Sequence, residues 1–235
     1  MSDMHLHLEE HLESSDLLTD IVIGMSDGLT VPFALAAGLS GAVSGHVNLV
    51  WIAGIAEICA GSIAMGLGGY LAGKTEQDHY ESELKKEYWE LTHKREVEIE
   101  EVRKVFLGWG LSQQVAEEAT QEIIKDDHRW VDFMMKHELG LTKPDPKRAR
   151  KSAFNIGASY IVGGLIPLTP YFFVDSALKG LEISACITLV CLFVFGYFKS
   201  KMTGVRPFWG GIKVMLIGAI AAGAAFGIAK WIESI

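Results

Sequence analysis

Four glutamates in the middle of the chain have the spacing of a metal-binding helix face. Glu87 and Glu90 form one pair three residues apart, and Glu98 and Glu101 form a second such pair. If residues 75–106 form one helix at 100° per residue, the four carboxylates share an arc of roughly 80°. A solvated acidic helix has no need to sort its glutamates in this way, so the pattern favours a face that holds cations.

The two pairs are 11 residues apart, which is about 16 Å along a single helix. One ion cannot bridge that distance, so several ions or groups from other helices must complete the site. Met134, Met135 and Glu138 are the candidates from a later helix. Carboxylate oxygen and thioether sulfur together suit a borderline transition metal such as Fe²⁺ better than Mg²⁺ or Ca²⁺. Packing in a core remains the alternative role for the two methionines.

Two more acidic residues occur in apolar segments, where burying a charged side chain costs free energy. Asp27 and Glu57 lie in long apolar segments, and an ionisable residue in hydrocarbon usually faces a partner or a water-filled path. Met65 follows Glu57 by eight residues, and Asp20 precedes Asp27 by seven, nearer the predicted membrane surface. These four residues predict an ion path through the membrane. Protonated carboxyl groups that only join helices are the alternative.

The composition predicts an all-α polytopic membrane protein. Of the 235 residues, 49% are hydrophobic, and the charged ones crowd into the middle third. Apolar segments near the ~20 residues that a transmembrane helix needs occur at 17–42, 47–72, 153–174, 183–198 and 211–232. The net charge of −8 argues against a nucleic-acid partner. The three cysteines fall in apolar segments and imply no disulfide framework.

The same pattern divides the chain into four parts. We expect a disordered tail at 1–16, two transmembrane helices at 17–74, a three-helix cytosolic metal-binding insertion at 75–146 and three transmembrane helices at 147–235. The insertion's first helix is expected at 75–106, the second after an N-cap at Ser112, and the third between Asp126 or Asp127 and Gly140. Lysines and arginines in the loop after the fourth span place the N-terminus and the insertion in the cytosol and the C-terminus across the membrane.

The absence of several sequence motifs argues against the enzyme classes that need them. The sequence has no Walker loop, dinucleotide fingerprint or nucleophile triad, so we expect a transporter without a cofactor rather than an enzyme. Glu90 and His93 form one Glu-x-x-His motif, which di-iron bundles normally carry twice. A membrane di-iron oxidase is therefore one alternative, and a membrane-anchored metal buffer or sensor that does not transport is the other.

Two membrane segments resemble a known family. Residues 20–29 (DIVIGMSDGL) and 158–167 (ASYIVGGLIP) resemble the vacuolar iron transporter family, and the Glu and Met-Met pattern of the insertion is similar to its plant vacuolar members. The resemblance extends from Leu17 to the C-terminus. It implies a homodimer with five spans in the vacuolar membrane. It also implies proton-coupled antiport of Fe²⁺, with Mn²⁺ and other divalent transition metals, from cytosol to vacuole for iron storage and detoxification.

The matching positions imply roles for individual residues. Asp27, Glu57 and Met65 match the family's membrane path, and Asp20 is placed at the pore mouth. The positions that match ligands of the cytosolic metal-binding domain are Glu87, Glu90, Glu98, Glu101, Met134, Met135 and Glu138. The resulting hypothesis is that acidic helices collect the ion, that Asp27 and Glu57 replace its hydration shell, and that protons from the acidic lumen release it.

Overall fold

The computed structural model describes residues 16–42 and 46–235. Every regular element in these two ranges is a helix, so the all-α prediction is confirmed. The tail predicted at residues 1–16 lies outside the described residues except for Asp16, which begins the first helix.

The described chain contains eight α-helices and one 3₁₀ turn. Their bounds are α1 (Asp16–Ala42), α2 (Val47–His93), α3 (Arg95–Gly108), α4 (Gln113–Ile123), α5 (Asp127–His137), α6 (Arg148–Leu168), the turn Thr169–Phe172, α7 (Ala177–Met202) and α8 (Pro207–Glu233). These helices belong to two compact units, and α2 extends from one into the other. The span unit holds the described residues up to Tyr70 together with Arg150–Ile235, and the acidic unit is Leu71–Ala149.

Five helices are long and apolar enough to cross a membrane. They are α1, α2, α6 with the turn that follows it, α7 and α8, in agreement with the five predicted spans. The predicted fourth span, residues 183–198, was too short, because α7 has 26 residues and ends with Lys199 and Lys201 in its last turn. Hydropathy marks only the apolar middle of such a helix, and the helix itself continues into its charged ends.

The first helix predicted for the insertion, residues 75–106, is two helices. The second span continues without interruption to His93, as expected, but α3 begins separately at Arg95. Lys94 between them has φ −132° and ψ 31°, outside the helical region. The Thr92 hydroxyl donates to the Trp89 carbonyl at 2.8 Å, and a ring nitrogen of His93 also lies 2.8 Å from it. Both contacts involve the Trp89 carbonyl in the last turn of α2, and local side-chain contacts of this kind are common where helices end.

The two later helices of the acidic unit have the expected caps. The Ser112 side chain accepts a hydrogen bond from the Val115 N–H, and the Asp126 carboxylate accepts one from the Arg129 N–H at 2.8 Å. Gly140 follows α5 with a φ of +65°, which a residue with a side chain rarely adopts. Because these caps satisfy N–H groups at each helix start, short helices of 11 residues can persist here.

The acidic unit has its own hydrophobic core. Trp130 at its centre is fully buried, and the Arg95 guanidinium lies 4.7 Å from the centroid of its ring. The other buried members come from all four helical segments and are Leu91, Val102, Phe106, Ala116, Val131, Phe133, Met134 and Met135. This core fixes α3 and α5 against the part of α2 beyond Tyr70.

In the span unit, α1 packs against α6 without room for side chains. A Cβ atom on Gly24 would lie 2.9 Å from the Cβ of Ser159 and closer still to the Ile156 carbonyl oxygen. A Cβ atom on Gly163 of α6 would similarly lie 3.0 Å from the backbone nitrogen of Leu29. Small residues allow such backbone approach between membrane helices.

We predict that Gly24→Ala destabilises the protein, because the new methyl group meets the backbone of α6 and the two helices must separate. A cost of about 1–3 kcal/mol is typical of overpacking. The thermal midpoint of the purified protein in detergent, followed by fluorescence-detected gel filtration, measures it. The matched control is Gly223→Ala in α8, where the added Cβ meets nothing within 4 Å. Equal midpoints for both variants would contradict the close approach of α1 and α6.

Candidate functional site

The break at Lys94 brings the two glutamate pairs together. Glu87 and Glu90 lie on α2, while Glu98 and Glu101 lie on α3. The negative charges of Glu101, Glu87, Glu90 and Glu138 all act on the Glu98 carboxyl group. The separation of about 16 Å expected along a single helix is therefore wrong, because it assumed a helix that does not continue past His93. We call Glu87, Glu90, Glu98, Glu101 and Glu138 the acidic cluster.

Two members of the acidic cluster are removed from water. Glu87 is 4% exposed and Glu98 is 3% exposed. Burial raises the pKa of Glu87 to about 7, and the charges of Glu138 and Glu90 act in the same direction. Burial also raises the pKa of Glu98 to about 7, with further contributions from the charges of Glu101 and Glu87. Near neutral pH both groups are partly protonated, so a cation that binds them must displace protons.

Glu138, at the C-terminal end of α5, is the fifth member of the acidic cluster. This residue is the C-cap of α5, and its backbone N–H donates to the Met134 carbonyl. Partial burial raises the pKa of its carboxyl group, and the charges of Glu101 and Glu90 add to the rise. Glu138 therefore belongs to the same electrostatic group as the glutamates of α2 and α3.

The two methionines lie in the hydrophobic core. Met134 is 0% exposed and Met135 is 1% exposed. Met135 also lines a cavity of about 520 Å³ with Tyr88, His128 and residues of the segment after α5. Their burial accords with the packing role left open by the sequence, and their role as sulfur ligands stays a prediction.

The carboxylates of the acidic cluster repel one another without converging on one point. Among the residues that the structure describes, no three carboxylate, imidazole or thiolate groups are arranged so that they could hold one metal ion. His93 of the Glu-x-x-His motif stacks on Trp89 with ring centroids 4.4 Å apart. The acidic cluster is thus a concentration of negative charge whose side chains must rearrange to coordinate an ion.

Glu57 in α2 is the second candidate centre. Its Oε1 accepts a hydrogen bond from the Tyr160 hydroxyl of α6, whereas its Oε2 is buried without a partner. Glu57 also lines a cavity of about 450 Å³ whose other walls are apolar residues of α1 and α8. A buried polar atom without a partner costs about 1–3 kcal/mol, which makes this oxygen a ready acceptor for a cation or a proton.

The remaining path candidates have different surroundings. Asp27 is half-buried in α1, and the Tyr160 phenol lies within electrostatic range of both Asp27 and Glu57. Met65 is also half-buried, two turns beyond Glu57. Asp20 is 1% exposed and accepts hydrogen bonds from Ser152 at 2.9 Å and Asn155 at 3.2 Å. These bonds join α1 to α6, which gives Asp20 a packing role in addition to the predicted one.

Sequence reasoning missed several partners of the predicted residues. Tyr160 lies in the motif at residues 158–167 and was not predicted to contact Glu57, although a tyrosine in an apolar span needs a partner for its hydroxyl group. Ser152 and Asn155 gave no signal, since polar residues at the start of a span usually meet solvent. Lys94 was also missed, and it forms an ion pair with Glu90 at 2.7 Å.

We predict that Glu87→Gln stabilises the metal-free protein at pH 8 and has little effect at pH 5. The folded pKa of about 7 lies above the ordinary value of 4.5. The folded state therefore holds the proton more tightly, and its stability falls as the pH rises through this window. The gain at pH 8 is on the order of 1 kcal/mol. Hydrogen–deuterium exchange of residues 95–137, compared at each pH, measures it.

The matched control is Glu118→Gln, which changes an exposed glutamate of α4 outside the acidic cluster. It should leave exchange nearly unchanged at both pH values. A Glu87→Gln effect of equal size at pH 5 and pH 8 would show that burial of the charge is not its cause.

Comparison with known proteins places the chain in a family. The model of the VIT family matches residues 18–230. Vacuolar iron transporter 1 of Tulipa gesneriana is 48% identical over 229 residues, covering 97% of this chain and 92% of that protein. Vacuolar iron transporter 1 of Arabidopsis thaliana is 48% identical over 227 residues, covering 97% and 90%. Protein CCC1 of Saccharomyces cerevisiae is 39% identical over 224 residues, covering 91% and 68%. The chain belongs to the VIT family.

Proposed function

We propose that this protein is a proton-coupled antiporter that moves Fe²⁺ from the cytosol into the vacuole. Mn²⁺ and other divalent transition metals are further substrates. The relatives named vacuolar iron transporters support the substrate and the compartment. The observation that carries the proposal is Glu57, a carboxylate within an apolar span whose Oε2 is buried and has no partner.

The membrane path in this proposal uses Asp27, Glu57 and Met65. A divalent ion leaving water needs oxygen ligands to replace its hydration shell, and two carboxylates also neutralise its charge. The Met65 thioether adds a soft ligand that favours Fe²⁺ over Mg²⁺ and Ca²⁺. Asp20 lies nearer the membrane surface, and its bonds to Ser152 and Asn155 hold the start of α1 at the mouth of the path.

Proton coupling follows from the same carboxylates. A carboxylate that holds a metal ion cannot also hold a proton, so the two cargoes exclude each other at Glu57 and Asp27. Protons from the acidic lumen displace the ion on that side, and the protonated groups then return the protons to the cytosol. The Tyr160 hydroxyl donates to Oε1 of Glu57 and orients this carboxyl group for the next ion.

The acidic unit collects the substrate in the cytosol. Its five clustered carboxylates raise the local concentration of divalent cations near the membrane. Glu87, Glu90, Glu98, Glu101 and Glu138 supply oxygen ligands, and Met134 and Met135 are the candidate sulfur ligands. The pKa values of about 7 for Glu87 and Glu98 make this capture pH-dependent, with tighter binding as the cytosol becomes more alkaline.

Orientation and assembly complete the proposal. The basic residues near the end of α7 and the start of α8 favour a cytosolic N-terminus and acidic unit, with the C-terminus in the lumen. A homodimer gives the path a second copy of Asp27 and Glu57, which a twofold axis places around a common centre. The apolar cavity beside Glu57, lined by Val31, Ala34, Leu35 and Gly38 of α1, favours this face for the contact.

We predict that Asp27→Asn and Glu57→Gln each reduce metal uptake by about tenfold or more, because each removes a charge that replaces the hydration shell. Uptake of Fe²⁺ under reducing conditions into sealed proteoliposomes, with an acidic interior, measures this effect. Glu182→Gln in α7 is the matched control, since Glu182 is exposed and takes no part in the path. Full gradient-driven uptake by both path variants would contradict the carboxylate mechanism. Iron that binds but never enters would support a buffer or sensor instead.

We also predict that Tyr160→Phe reduces uptake at limiting metal concentration by about tenfold, since a hydrogen bond to a charged group is worth about 1.5–3 kcal/mol. Saturating metal should restore most of the rate, because the carboxylates themselves remain. Tyr70→Phe, at an exposed position of α2, controls for loss of a hydroxyl group. Unchanged uptake by Tyr160→Phe at low metal would exclude its proposed part in preparing Glu57.

A further inference from the structure

Glu90 differs from its neighbours in the acidic cluster by forming a close ion pair with a lysine. The Lys94 Nζ lies 2.7 Å from Oε1, whereas the Lys86 Nζ lies 4.0 Å from Oε2 and only 3.5 Å from Glu83. For Glu87, Glu98 and Glu138 the opposite holds, since burial and neighbouring negative charges dominate their surroundings. Among the ion pairs of the described residues, Glu90 is therefore the member of the acidic cluster with a lysine ammonium in direct contact, at 2.7 Å.

Lys94 is fixed at the point where the chain changes direction. It is the non-helical residue between α2 and α3, and its backbone N–H donates to the Glu90 carbonyl at 2.7 Å. Its Nζ also lies 5.6 Å from the ring centroid of Trp89. Backbone, carboxylate and aromatic ring together hold this ammonium beside the acidic cluster.

We infer that Lys94 is a built-in counter-ion, which holds the Glu90 carboxylate while no metal is bound and is displaced when a divalent cation binds. The inference rests on the proposed function of the acidic cluster. An ammonium hydrogen and a metal ion compete for the same Oε1 lone pairs, and the two positive charges repel each other. Displacement frees Oε1 for coordination and moves the side chain of the residue that joins α2 to α3.

The ion pair tunes metal affinity without blocking it. The Lys94 side chain is 48% exposed and the Glu90 side chain 14% exposed, so the pair is partly solvated. Helical pairs of this kind are weak, and the competition weakens metal binding by about two- to fivefold. In exchange, the counter-ion limits repulsion among five crowded carboxyl groups when the acidic cluster is empty.

Binding of Mn²⁺ to the full-length protein tests this inference. Lys94→Met keeps the side-chain length and removes the charge, so we expect the dissociation constant to fall by about two- to fivefold, with the difference shrinking at high salt. The electron paramagnetic resonance signal of free Mn²⁺ measures binding. Lys125→Met is the matched control, because Lys125 pairs with Glu122 outside the acidic cluster and should leave the affinity unchanged.

Acylation of lysines, read by mass spectrometry, tests displacement directly. We expect Mn²⁺ to increase the reactivity of Lys94 in the wild-type protein and to leave that of Lys125 unchanged. If Mn²⁺ binds but neither the Lys94 reactivity nor the Lys94→Met affinity changes, the counter-ion role is overturned and the proposed function stands. If Glu87→Gln and Glu98→Gln do not weaken Mn²⁺ binding, the acidic cluster is not the binding site, and both the counter-ion role of Lys94 and the collecting role of the acidic unit are overturned.

Discussion

A carboxylate taken out of water needs a proton, a hydrogen-bond donor or a cation, and both units of this protein contain carboxylates in that position. In the span unit, Asp20 receives two donors from α6 and becomes part of the helix packing. Glu57 receives one donor, from Tyr160, and keeps a buried oxygen without a partner. The same chemical group is thus satisfied between α1 and α6 and left without a full set of partners between α2 and α6.

The acidic unit meets the same constraint with protons and one lysine. Glu87 and Glu98 are buried beside other negative charges, and their pKa values rise to about 7. Glu90 instead forms an ion pair with Lys94 at 2.7 Å. In the function we propose, a divalent cation replaces both the protons and the ammonium group. This exchange would make the proposed collecting step depend on pH and on ionic strength.

Composition sufficed to predict the five candidate spans, since about 20 apolar residues leave few other structures possible. The break after His93 was not predictable in the same way, because residues 75–106 contain no proline or glycine to mark it. That break corrected the geometry of the glutamates, although their selection as a group came from the sequence. The Tyr160–Glu57 contact joins residues 103 positions apart, so only the tertiary structure could reveal it.

If metal and protons exchange at the same carboxylates, entry of metal alone must drive protons out. Proteoliposomes with equal pH on both sides and a pH-sensitive dye inside would receive external Mn²⁺ under a clamped membrane potential. We predict that the interior becomes alkaline as Mn²⁺ enters, and that Glu57→Gln reduces both signals by about tenfold or more. Entry of Mn²⁺ through the wild-type protein with no change in internal pH would contradict it.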